Sequence, residues 1–111
     1  MAGTFVIEKG AAGKYRFNLK AGNNEIILTS ETYEAKGGAE TGIASVRSNS
    51  QNDTRFVRKT ASDGSPYFLL TADNGKTIGK SEMYSSARAM ENGIKSVATN
   101  APDARVVDKS A

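Results

Sequence analysis

Carboxylates, lysines, tyrosines and hydroxyls are the only side chains this chain offers for chemistry, because its 111 residues include no cysteine, no histidine and no tryptophan. Imidazole and thiolate do most general acid–base and nucleophilic work near neutral pH. Their absence excludes disulfides, CxxC centres, Ser-His-Asp triads and structural zinc sites. The most concentrated polar word that remains occurs twice, as Ser30-Glu31-Thr32-Tyr33 and Ser81-Glu82-Met83-Tyr84. A carboxylate between a hydroxyl and a phenol suits a polar ligand, yet the same residues serve a fold equally well. Glutamate can receive helix amides at the positive end of a helix dipole while tyrosine packs its ring, and that structural role is the expectation here. Glu31 and Glu82 would hold a divalent cation only if symmetry brought them together. The segment Gly10-Ala11-Ala12-Gly13-Lys14 has two residues between its glycines and Tyr15 after its lysine. A phosphate-binding loop needs four and a hydroxyl, so this is read as a hairpin loop. No catalytic, cofactor or metal site is assigned, and the chain is expected not to be an enzyme.

These residues must be positioned by elements, and the elements are written twice. Residues 5–49 align without a gap on 56–100: Phe5 with Phe56, Gly13 with Gly64, Phe17 with Phe68, Leu19 with Leu70, Tyr33 with Tyr84, Ile43 with Ile94 and Val46 with Val97. Within each copy a short β-prone segment (5–9) precedes a strictly alternating one (14–20), where Tyr15, Phe17 and Leu19 share one face. Gly22-Asn23-Asn24 and Asp73-Asn74-Gly75 supply turn residues before a third strand at 25–30 and 76–81. The period then changes to that of a helix, through Ala35, Ala39, Ile43 and Val46, and through Met90, Ile94 and Val97. Ser85 is expected to cap the second helix, and Asn49 and Asn100 to take the left-handed residue that ends each one. Gly42 and Gly93 would let helix approach sheet. Val106 and Val107 mark one last strand.

The expected fold is α+β, one domain over residues 1–111 with a first repeat at 1–51 and a second at 52–111. Fifty residues bury too little apolar surface to be comfortably stable alone, so the two copies should share one mostly antiparallel sheet with both helices on one face.

The words Phe17-Asn18-Leu19-Lys20-Ala21, Ser30-Glu31-Thr32-Tyr33 and Gly42-Ile43-Ala44-Ser45-Val46-Arg47-Ser48-Asn49, repeated in the second copy, resemble the signature of the YegP-like family of small bacterial proteins. The resemblance spans nearly the whole chain and implies paired β3-α-β units with carboxy-terminal strands exchanged between them. It implies no activity and no site residue. The sequence departs from its own repeat where Gly37-Gly38 stand opposite Arg88-Ala89.

The formal charge of +3 hides scattered charges, six Lys or Arg against five Glu in residues 1–51 and nine against seven acids in 52–111. Neither half is a basic tail, and Arg55, Arg58 and Lys59 read as a solvated strand edge. The helix-free face of the sheet should carry Ile26, Leu28, Tyr67 and Leu69, an apolar group suited to a protein partner or a second copy of the chain. Weak single-stranded nucleic-acid binding is the alternative. No apolar run is long enough to span a membrane, residues 1–9 show no secretory pattern, and a cytoplasmic location is expected.

Overall fold

A computed structural model describes residues 3–110; Met1, Ala2 and Ala111, the outermost positions of the two expected repeats, lie outside the described residues. Seven strands and two helices follow in the order β1 (Thr4–Lys9), β2 (Tyr15–Lys20), β3 (Ile26–Ser30), α1 (Lys36–Asn49), β4 (Phe56–Thr60), β5 (Pro66–Thr71), β6 (Thr77–Lys80), α2 (Ala87–Asn100) and β7 (Arg105–Asp108). All seven strands form one sheet in the order β4-β5-β6-β3-β2-β1-β7. Every ladder is antiparallel except β1 with β7, which run parallel with Phe5 opposite Val106.

The turns are where the sequence places them. Gly10 donates to the Lys14 carbonyl and Gly13 adopts φ 79°, closing the first hairpin. Gly64 repeats this at φ 88°. Asn24 and Gly75 take the left-handed position of the second hairpins, at φ 71° and 84°. Each third strand ends on a serine that replaces a carbonyl. Ser30 Oγ accepts from the Phe17 N–H at 2.8 Å and donates to the Glu31 carbonyl, and Ser81 does the same for Phe68 and Glu82. That substitution frees the chain to leave the sheet and enter the helix.

The helices bury Ala39, Ile43 and Val46 from α1 and Met90, Ile94 and Val97 from α2 against Phe17, Leu19, Phe68 and Leu70. Rings repeat along with the strands. Phe5 meets Phe17 edge-on and Phe17 stacks on Tyr33, while Phe56, Phe68 and Tyr84 form the same trio. An added Cβ at Gly42 would overlap the Tyr33 hydroxyl and stand 2.9 Å from Phe17 Cε2, and Gly93 faces Tyr84 likewise. These two glycines bring each helix against a ring, as expected.

Two details of the helix ends differ from expectation. Ser86, not Ser85, caps α2 by accepting the Ala89 N–H, and α1 starts after Ala35 with no side-chain cap. Asn49 and Asn100 remain helical; their amides donate back to Ser45 and Ser96, and the residues that follow are right-handed at φ −64° and −60°. The side-chain bond to the preceding turn satisfies carbonyls that a left-handed cap would otherwise cover. Neither Glu31 nor Glu82 receives a helix amide.

The two copies meet at the centre of the sheet. Thr29 pairs with Lys80, its own counterpart in the repeat, so the pseudo-two-fold axis passes through this pair. β7 crosses beyond its own unit to β1, which is the strand exchange that the resemblance implies. β4 is left at the opposite edge, exposed from Val57 to Thr60, and there Arg58 is held by Glu91 and by Asp53 at 2.9 Å. Among the described residues no helix is long and apolar enough to cross a membrane.

Candidate functional site

Cross-strand partners in a sheet project to the same side. Starting from Leu69, the registers trace one row over the helix-free face: Val57, Leu69, Lys80, Thr29, Asn18, Val6 and Val107. Tyr67 and Lys59 pair in the next row, and Lys20 with Ile26 and Thr4 in the row beyond Asn18. Of the four residues proposed from sequence, Tyr67, Leu69 and Ile26 therefore occupy the open face.

Leu28 does not. It is fully buried, because the β2–β3 register shifts between Leu19 and Lys20, so Leu19 opposes Leu28 while Lys20 opposes Ile26. The extra residue, Ile27, absorbs a bulge that restores Leu28 to the core side. Its counterpart is Gly79, where a Cβ would meet Leu28 Cγ at 3.0 Å, so one leucine fills the centre for both copies. Ile26, 38% exposed, is also separated from Tyr67 and Leu69 by β6. The contiguous apolar group is Tyr67 and Leu69 with Val57, itself 38% exposed; Val57 was missed in the sequence because its strand reads as a charged edge.

The same face is electropositive. Arg16, Lys20, Lys59, Lys80 and Arg105 project there by register, against Glu8, which lies 4.0 Å from Arg16 and accepts from the Asn18 amide. Lys80 sits 5.0 Å above the Tyr67 ring centroid, a cation–π contact that holds its ammonium beside the only aromatic ring of this face among the described residues. Glu31 and Glu82 line one shallow depression near the axis together with Lys80 and Met83. Among the described residues no three acidic or other metal-ligating side chains gather to hold a metal ion.

On the helix side, burial, with the nearby Glu31 carboxylate adding to it, raises the Tyr33 phenol above its ordinary value, and burial with Glu82 and Glu25 does the same for Tyr84. Both rings are packing residues whose hydroxyls touch glycine, not a base. A groove of about 480 Å³ runs between α1 and the β5–β6 hairpin beside Tyr33, Gly38, Thr41 and Lys76. Arg88, Ala89 and Asn92 stand at the corresponding positions of α2, against Gly37, Gly38 and Thr41.

A domain of unknown function, DUF1508, matches the chain twice, at residues 11–56 and 61–108. Each match runs from the first hairpin loop of a copy through its helix to the strand that follows. A UPF0339 protein of Bordetella pertussis is 56% identical over 99% of this chain and 98% of its own length. The UPF0339 protein YegP of Escherichia coli K12 is 51% identical over 99% of this chain and all of its own length. Among solved structures, the solution structure of Escherichia coli YegP, described as a protein of unknown function, superposes with a TM-score of 0.95 at 50% identity. It covers the whole of this chain and 96% of that one. The UPF0339 protein SO3888 of Shewanella oneidensis superposes at 0.93 with 44% identity, covering 99% and 93%. The chain belongs to the DUF1508 family and carries two copies of its domain.

Proposed function

We propose that this protein is a non-enzymatic cytoplasmic docking module whose open sheet face receives an acidic surface of a partner protein. The observation that supports this reading is the contiguous group Val57, Tyr67 and Leu69, set among Lys59, Lys80, Lys20 and Arg16. Exposed apolar side chains grouped on one face exceed what scattered surface residues need, and a surrounding excess of one charge selects an oppositely charged partner. The same excess weighs against two copies meeting face to face, since like charges would be brought together.

The test compares the protein with its Tyr67→Ser/Leu69→Ser form, both immobilised and exposed to lysate of the native host. Proteins retained by the first and lost from the second support the reading, with the helix-side substitution Lys95→Ser retaining them as a control. Equal retention by both forms sinks it. A second reading, weak single-stranded nucleic-acid binding, draws on the Lys80–Tyr67 stack and the neighbouring Lys59. Retention of oligonucleotide that falls steeply with salt favours that reading.

A further inference from the structure

At the corner where β7 joins β1, three cations from separate parts of the chain line one depression of about 260 Å³: Lys20, Arg105 and Lys109. Thr4 is the cross-strand partner of both Lys20 and Arg105, so the two side chains emerge on the open face on either side of it. Lys109 is two alternations beyond Arg105 and is fixed by its N–H donating to the Ile7 carbonyl at 2.8 Å. Val6, only 5% exposed, forms an apolar floor, and Thr4 and Asn24 add a hydroxyl and an amide to the rim.

None of the three cations has a carboxylate within 4.0 Å among the described residues, whereas Lys14, Arg16, Lys36 and Arg58 all do. Alternation explains this. Asp108, the acid of β7, projects to the helix side, where Lys36 holds it at 2.7 Å and, with Ser110, keeps its carboxyl well below the usual range. Asp103 lines the adjoining depression with Arg105 without pairing to it.

The fold does not require the cluster. In the second copy Thr71 stands where Lys20 does and Thr54 where Arg105 does, and the strands form with neither charge. Three unpaired cations around a compact, partly apolar hollow match a tetrahedral dianion, whose oxygens can accept from ammonium, guanidinium, hydroxyl and amide together. The hollow lies at the sheet corner and does not run along the strands, which suits a terminal phosphate better than a through-going phosphodiester chain.

We propose that this corner binds the terminal phosphate of a phosphorylated small molecule. The inference is independent of the docking face, since it rests on Lys20, Arg105 and Lys109 and not on Tyr67 or Leu69.

The test is an amide chemical-shift titration of the full chain with inorganic phosphate and with phenyl phosphate, ionic strength being held constant with sodium chloride. Saturable shifts at Thr4, Lys20, Arg105 and Lys109 are expected. They should weaken from about pH 7.5 to about pH 5, because a monoester loses its second charge near pH 6. Lys20→Gln/Arg105→Gln should reduce affinity by about tenfold or more, the scale of lost hydrogen bonds to charged groups. Should that double form fail to fold, Lys109→Gln, at an exposed position after the strand, should still weaken binding severalfold. Lys76→Gln should change nothing at this corner. Shifts reproduced by sodium chloride alone, or unaltered in the variants, would overturn the proposal. Tighter binding of oligothymidylate than of phenyl phosphate at the same amides would replace it with a nucleic-acid site.

Discussion

Replacing Phe68 with alanine tests the core on which both copies depend. The ring is fully buried, lies edge-on to Phe56 at 5.5 Å, and stacks on Tyr84 at 6.2 Å with an interplanar angle of 12°. Across the gap stands Gly93, whose added Cβ would be 3.3 Å from Phe68 Cε2, so no side chain on that part of α2 can swing in to fill the space. Poor collapse puts the cost at the upper part of the usual range for phenylalanine truncation, about 4 kcal/mol. A domain of this size has roughly 5–15 kcal/mol in total, so a large part is lost. Urea unfolding followed by circular dichroism measures it. With a slope of about 2 kcal/mol/M, unchanged by the substitution, the midpoint should fall by about 2 M. Phe17→Ala should fall by a similar amount, because Phe17 occupies the same place against Phe5, Tyr33 and Gly42. A loss below about 1 kcal/mol, or a loss for one phenylalanine and not the other, would refute the shared core.

Gly42→Ala should lower the thermal midpoint, since overpacking against Tyr33 and Phe17, about 1–3 kcal/mol, outweighs the gain of about 1 kcal/mol in helix propensity; a higher midpoint would contradict the close approach. A chain ending at Ala101 should lose hydrogen-exchange protection in β1 and β2 as well as in the second copy, because β7 pairs with β1; protection lost only at 56–100 would count against that pairing. The raised pKa of Tyr33 and Tyr84 means that the folded state holds these phenolic protons more tightly. Their contribution to stability is therefore present below an ordinary phenol value of 10.0 and disappears as pH rises through the higher folded values. Denaturation midpoints measured from pH 8 to 12 should fall above about pH 10, and Tyr33→Phe should flatten that fall; an unchanged alkaline limb would show that burial of the phenol is not its cause.

How much of this was legible depends on whether a feature is local. Tyr15, Phe17 and Leu19 alternate within one strand, and Gly13, Asn24, Gly64 and Gly75 mark turns by backbone conformation, so strands and hairpins could be read directly. The repeat itself announced two equivalent halves. Leu28 escaped because alternation assumes a regular ladder, and a bulge reverses sides without altering composition. A signal was present: Ile26-Ile27-Leu28 is a run of three apolar residues that no alternating strand can place on one face, and its counterpart has glycine at the third position. The cap of α2 moved by one residue between adjacent serines, a choice local sequence does not decide. The basic corner was invisible for a different reason. Lys20 and Lys109 lie far apart in sequence, and only the crossing of β7 to β1 brings them to one hollow.

The parallel pairing of β1 with β7 also governs when the molecule can finish folding. Phe5 waits for Val106, so the edge of the first strand stays without its partner until nearly the whole chain has left the ribosome. Contacts of such long sequence separation raise the entropic cost of loop closure and slow folding, even though each hairpin closes locally. During synthesis the first copy emerges with an open edge at β1 and another at β3, the strand destined for β6. Unpaired edges of this kind are templates for intermolecular association. Translation rate and chaperone occupancy of the nascent first half are thus expected to set the yield of this protein more than the stability of the completed sheet.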